Sequence, residues 1–105
     1  MKAAYKERKS PAGIYTIRCT PTGQIWVGAT PNLDAIQNRI WFSLRHGHDS
    51  FRPLQVAWQE HGEERFTFEE LERLDEAVSP LRQKDLLKAR AVHWQDALKA
   101  ESILK

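Results

Sequence analysis

The sequence predicts an α+β fold in which helices pack on a three-stranded antiparallel sheet, and three observations lead to this prediction. Residues 13–19 and 24–29 are two runs rich in β-branched and aromatic side chains, and the Pro/Gly turn between them favours a hairpin. Two helical patterns follow the hairpin. An alternating run at residues 65–71 then precedes one longer helical pattern. The resulting order, β-β-α-α-β-α, is typical of helices that cover one sheet.

The first helix is expected to begin at Pro31-Asn32, because an asparagine side chain can cap the free N–H groups at a helix start. Gly47 is a natural place for this helix to end. Between these positions, apolar residues recur at three- and four-residue spacing and form one stripe: Leu33, Ile36, Ile40 and Leu44.

The second half of the chain predicts two more helices with a strand between them. Residues 54–61 form a short helix, and the run at 65–71 forms the third strand. Ser79-Pro80, a capping residue followed by a first-turn proline, begins the last helix, which is expected to run to about residue 101. Its apolar stripe consists of Leu87, Ala91, Trp94 and Leu98.

Length and composition limit the classes of function. The 105 residues suit a single domain, expected at 13–105 behind a charged lead-in of residues 1–12. The net charge of +2 is too small to indicate nucleic acid on its own. The single cysteine, Cys19, allows no internal disulfide framework and favours a reducing cytoplasm. No apolar run reaches transmembrane length, so no membrane partner is expected.

Short signatures within these elements resemble a known superfamily. The hairpin reads GIYTIRC and QIWVGAT, the first helix begins PNLDA, and RHGHDSFRPLQVAWQEHGEERFTFEELERL covers the next turn, helix and strand. In this order and spacing they resemble the GIY-YIG nuclease superfamily over residues 13 to about 98. The resemblance implies the α+β fold given above and an endonuclease-like domain that cleaves phosphodiester bonds.

The superfamily uses four catalytic positions, and the resemblance assigns each of them in this chain. The first-strand tyrosine is Tyr15, and the second-strand tyrosine is replaced by Trp26, whose N–H donates but cannot act as a base. The phosphate-binding arginine falls at Ile36, and the glutamate that holds one divalent cation falls at Ala91. Neither side chain can bind a phosphate or a metal ion. A degenerate site is therefore expected, with no cofactor; Mg²⁺ or Mn²⁺ is expected only for a working nuclease.

Two further features are candidates for a relocated catalytic site. Arg39 lies close to one helical turn after Ile36, where it either reaches the site or is an ordinary solvated arginine. His48 lies in the turn where some family members carry a histidine near the site. With His46 and Asp49 it forms a His-x-His-Asp group, which is either a transition-metal ligand set or a polar loop. No further ligand has a convincing spacing, so no metal site is assigned.

Basic residues supply a candidate nucleic-acid surface, on which Tyr15 and Trp26 would be positioned to stack bases. The sequence thus leaves three interpretations open. The first is a catalytically degenerate domain that still binds nucleic acid, with DNA as the expected partner. The second is an active metal-dependent endonuclease with a relocated site. The third is a module that binds a protein or a second copy of this chain. The candidate phosphate contacts are Arg18, Arg39, Arg45 and Arg52.

Overall fold

The computed structural model describes residues 11–49, 51–75 and 78–102. The predicted lead-in, residues 1–12, lies outside the described residues except for its last two positions. The described elements are, in order, β1 (Gly13–Cys19), β2 (Gln24–Thr30), α1 (Leu33–Arg45), α2 (Arg52–His61), a 3₁₀ helix (Glu63–Arg65), β3 (Phe66–Arg73), α3 (Pro80–Leu98) and β4 (Glu101–Ser102).

The sheet has four strands in the order β3-β1-β2-β4. β1 pairs antiparallel with both β2 and β3, and β4 pairs parallel with β2. The α+β fold with a helix-covered sheet is confirmed, but the predicted number of three strands is wrong. The fourth strand was missed because its two residues, paired with Trp26 and Val27, are too few to produce an alternating pattern.

β1 and β2 form the hairpin that the sequence predicts. Ile17 lies opposite Trp26, and Tyr15 lies opposite Gly28. The turn between the strands contains Gly23 at φ 76°, a backbone conformation that glycine adopts without steric cost. The prediction that the two aromatic residues lie on adjacent antiparallel strands beside the first helix is therefore confirmed.

Alternation along β1 sends side chains into two separate cores. Tyr15, Ile17 and Cys19 belong to the first core, on the sheet face covered by α1 and α2. Ile14 belongs to the second core, on the face covered by α3. The sheet is thus the middle of three layers. The second core also contains Ala12, Val27 and Leu87 and, partly buried, Leu71, Leu74, Ala91, Trp94, Leu98 and Ala100.

Capping residues set the helix boundaries. The side chain of Asn32 accepts a hydrogen bond from the backbone N–H of Asp34 at 3.1 Å, as the sequence predicts for the start of α1. α3 ends at Leu98, earlier than the predicted residue 101, because Lys99 adopts a left-handed conformation with φ 54°. Within the described residues, no helix is long and apolar enough to cross a membrane.

Candidate functional site

A pocket of about 290 Å³ lies between α1 and the paired strands β1 and β2. It brings together three positions that the sequence singled out separately: Tyr15, Ile36 and Arg39. The hairpin fixes the first of these, and the spacing along α1 places the other two beside it. The remaining lining residues are Ala29, Thr30, Pro31, Ile40 and Ser43.

Tyr15 forms the deep wall of this pocket and is only 2% exposed. Its ring stacks on Phe68 of β3, with ring centroids 5.4 Å apart. Burial raises the pKa of the Tyr15 phenol, and the negative charge of Asp49 raises it further. The phenol therefore keeps its proton at neutral pH and is a hydrogen-bond donor in character.

Ile36 and Arg39 occupy different parts of the pocket. Ile36 is half-buried and packs against the first core, as expected for a member of the apolar stripe of α1. Arg39 is exposed, and among the described residues it has no ion-pair partner. The pocket therefore has an aliphatic wall and one available positive charge at its rim.

Trp26 lies in the first core, away from the surface. Its side chain is fully buried and stacks on Phe66, with ring centroids 6.3 Å apart. The indole N–H has no hydrogen-bond partner among the described residues. Because neither this indole nor Tyr15 is exposed, the stacking surface that the sequence suggested around them is not available to bases in this structure.

The His-x-His-Asp group is divided between the surface and the interior. His46 and His48 are exposed, whereas Asp49 is 6% exposed. The Asp49 carboxylate accepts from the backbone N–H of Phe51 at 3.2 Å, and Gln55 fixes the same turn by accepting from the Asp49 N–H at 3.0 Å. The buried aspartate therefore shapes the turn before α2, and the two histidine rings face solvent.

The four candidate phosphate contacts do not form one surface. Arg18 lies on the sheet face opposite Tyr15, as alternation predicts, and its side chain is 3.9 Å from Glu69. Arg45 makes a two-pronged ion pair with Glu63 at 2.8 and 2.7 Å, so its charge is already compensated. Hydrogen bonding from this arginine lowers the pKa of the Glu63 carboxyl. Arg39 on α1 and Arg52 at the start of α2 are both exposed.

Two solved structures are similar to this chain. A glutamate-to-alanine variant of the catalytic domain of intron endonuclease I-TevI matches with a TM-score of 0.71 and 28% identity, over 85% of this chain and 84% of that one. The catalytic domain of homing endonuclease I-TevI matches with a TM-score of 0.73 and 26% identity, over 90% of this chain and 99% of that one. No family model and no curated sequence matches.

The chain has the GIY-YIG nuclease fold. The resemblance that the hairpin and helix signatures carry is therefore confirmed, because I-TevI is a GIY-YIG homing endonuclease. Ile36, the position that the resemblance assigns to the family's arginine, lines the same pocket as the first-strand tyrosine, Tyr15. This domain thus has the architecture of these nucleases around the pocket beside Tyr15.

GIY-YIG nucleases are typically metal-dependent. The residues of this domain do not fit a metal ion at the family's position, because Ala91 is half-buried among Ile14, Val27 and Leu87. A methyl group in an apolar cluster supplies no oxygen ligand. Within residues 11–49, 51–75 and 78–102, no three His, Cys, Asp or Glu side chains are grouped closely enough to hold a metal ion.

Glu72 is a carboxylate to which the sequence assigned no role, and it contacts α3 at residues on both sides of Ala91. It extends from β3 to α3, where its Oε1 accepts from Arg90 Nε at 2.8 Å and from Trp94 Nε1 at 2.9 Å. Desolvation acts to raise the pKa of Glu72, but the hydrogen bonds from Trp94 and Arg90 outweigh it and the pKa is lowered. This carboxylate is therefore ionised and already neutralised, which makes it a clamp between β3 and α3.

The Glu72 clamp predicts a pH-dependent contribution to stability. Glu72→Gln is expected to lower the free energy of unfolding by about 1 kcal/mol at pH 7, because the pair is partly exposed. The folded-state pKa lies below the ordinary value of 4.5, so the stabilisation is complete above that pH and is lost as pH falls through the folded-state pKa. Urea unfolding of both proteins between pH 7 and pH 3 measures the difference.

The matched control for this clamp is Glu69→Gln, since Glu69 lies on the same strand and is 64% exposed. We expect its substitution to change the free energy of unfolding by less than about 0.5 kcal/mol at every pH. A difference between wild type and Glu72→Gln that stayed constant down to pH 3 would contradict the clamp.

Proposed function

We propose that this GIY-YIG domain binds DNA without cutting it. The observation that carries the proposal is the lining of the pocket, where Tyr15 and Arg39 flank an aliphatic Ile36. Cleavage of a phosphodiester requires positive charge or hydrogen-bond donors aimed at the phosphate oxygens as their charge develops. Ile36 supplies neither at the position where the family's arginine falls, and Ala91 supplies no metal ligand on the other face of the sheet.

The electrostatics of Tyr15 support the same proposal. A general base must be able to accept a proton near neutral pH, which for a phenol requires a lowered pKa. Burial and the Asp49 charge raise the pKa of Tyr15 instead. The protonated phenol lines the deep wall of the pocket as a hydrogen-bond donor and supplies no base.

Binding is supported by the cations that remain available. Arg39 is exposed at the pocket rim, and Arg52 is exposed at the start of α2 on the same side of the sheet. Contacts of this kind neutralise phosphates and release counterions, so the affinity depends on salt. The solved relatives are endonuclease catalytic domains, and a DNA partner for this chain is consistent with them.

Arg39→Ala is expected to weaken duplex DNA binding and to make its salt dependence shallower. The slope of log Kobs against log salt should change by about 1, because one phosphate contact is lost. Fluorescence anisotropy with a labelled duplex over a series of salt concentrations measures this slope. Arg82→Ala is the matched control, since Arg82 is exposed on α3 across the sheet and should leave the slope unchanged.

A nuclease assay tests the other half of the proposal. Purified protein incubated with supercoiled plasmid and Mg²⁺ or Mn²⁺ should produce no more nicking than a heat-treated control. Cleavage that disappears in Tyr15→Phe would instead support a relocated active site. A folded protein without salt-sensitive affinity for nucleic acid would support the protein-interaction alternative.

We also propose that the protein acts in the reducing cytoplasm. The reason is that its single cysteine, Cys19, is buried as a free thiol.

A further inference from the structure

Three aromatic rings lie in a row on the exposed side of α1 and the turn after it. Phe42 and His46 are 4.3 Å apart between ring centroids, with an interplanar angle of 36°, and His46 and His48 are 6.4 Å apart. Phe42 is 61% exposed, and both histidines are exposed. We call these three residues the aromatic strip. Packing among the described residues does not account for a large aromatic side chain this exposed.

The backbone holds the strip in place. The Nδ1 of His46 lies 2.9 Å from the carbonyl oxygen of Phe42, which fixes the orientation of the imidazole. The backbone N–H of His48 donates to the carbonyl oxygen of Ser43 at 2.9 Å, so the backbone that carries the third ring is anchored to α1. The strip is therefore a preorganised set of ring faces.

The aromatic strip lies next to the pocket, farther along α1. Arg39 lies at the pocket rim, three residues before Phe42, and Ser43 lines the pocket while anchoring His48. A nucleic-acid strand on this surface would meet a free guanidinium and then a row of ring faces. Positive charge beside exposed aromatic rings is the combination that binds unpaired nucleotides, because each base offers a face that can stack.

We infer that the aromatic strip binds single-stranded nucleic acid by base stacking, with Arg39 contacting its phosphate backbone. The inference rests on the proposed function and specifies the form of nucleic acid that this side of the domain prefers. In a duplex, the faces of the bases are covered by their neighbours and cannot reach a protein ring. The strip therefore distinguishes unpaired strands from duplex, whereas Arg39 contributes to the binding of both.

The test compares three labelled ligands at one salt concentration by fluorescence anisotropy. The ligands are an oligo-dT of about 10 nucleotides, an oligo-U of the same length and a blunt duplex of the same length. Phe42→Ala is expected to weaken oligo-dT binding by at least about fivefold while changing duplex binding by less than about twofold. The oligo-dT and oligo-U arms show whether the strip favours DNA or RNA.

Two variants control for structural effects. Phe42→Trp keeps a ring face at the same place and should retain the single-strand affinity of the wild type. Val92→Ala removes an apolar side chain that is 51% exposed on α3, on the other side of the sheet, and should change neither affinity. Thermal unfolding of each variant confirms that it remains folded.

The outcomes separate this inference from the proposed function. Salt-sensitive duplex binding with oligo-dT affinity unchanged in Phe42→Ala would overturn the strip and leave the proposed function standing. Equal losses of single-strand and duplex affinity would also overturn the stacking assignment. Absence of affinity for all three ligands in the wild type would overturn both. A selective loss for single strands in Phe42→Ala, restored in Phe42→Trp, supports the strip.

Discussion

Replacing Trp26 with alanine is expected to lower the free energy of unfolding by about 3–5 kcal/mol. The indole is fully buried in the first core and stacks on Phe66, so truncation removes both apolar burial and a ring contact and leaves a cavity. Domains of this size have a total stability of about 5–15 kcal/mol, so the variant is expected to lose a large fraction of its stability. Urea unfolding followed by far-UV circular dichroism measures the change.

Trp26→Phe is the informative companion variant. It keeps an aromatic ring in the core and removes an indole N–H that has no partner among the described residues. Leaving such a group buried costs about 1–3 kcal/mol, and relief of this cost offsets part of the lost volume. We expect Trp26→Phe to cost less than half as much as Trp26→Ala and to bind DNA as wild type does. Loss of DNA affinity in a folded Trp26→Phe protein would show that the indole has a role at the surface.

The order of the elements could be predicted because local signals mark almost every boundary. Asn32 caps α1 and Ser79 caps α3, and each side chain hydrogen-bonds the backbone as its residue type suggests. The end of α3 could not be predicted accurately from the sequence. It is set by Lys99, which adopts a left-handed conformation that is usually found at a glycine. β4 could not be predicted, since two residues carry no periodicity and their pairing depends on where α3 ends.

For the candidate site, the sequence indicated which residues lie together but not how deeply they are buried or which of them form ion pairs. Hairpin pairing and helix spacing are short-range properties, and the resemblance to the superfamily assigned Tyr15 and Ile36 to one site; both line the same pocket. Burial depth and ion pairing depend on long-range packing. The pair between Arg45 and Glu63 joins residues 18 apart in the chain, and no local pattern indicates that this candidate phosphate contact is already neutralised.

The two positions that the resemblance assigns to the catalytic arginine and glutamate lie in different cores, and neither offers the polar group that the proposed loss of cleavage turns on. Ile36 packs against the first core and Ala91 against the second. A neighbouring group would have to compensate on each face of the sheet. On the first face, Arg39 lies at the rim of the pocket, three residues from Ile36. On the second face, Glu72 is held by Arg90 and Trp94, and both of its carboxylate oxygens already accept hydrogen bonds.

Gly28→Ala is expected to destabilise the domain by about 1–3 kcal/mol, because a β-carbon at this position would overlap the end of the Tyr15 ring. The ring is 2% exposed and stacked on Phe68, so it cannot move aside without disturbing the core. The test is a double-mutant cycle with Tyr15→Leu, a shorter side chain that lacks the overlapping atoms. In that background, Gly28→Ala should cost less than about 0.5 kcal/mol, and the difference is the coupling energy. Equal costs in both backgrounds would show that the glycine is required by the strand backbone and not by the tyrosine that it accommodates.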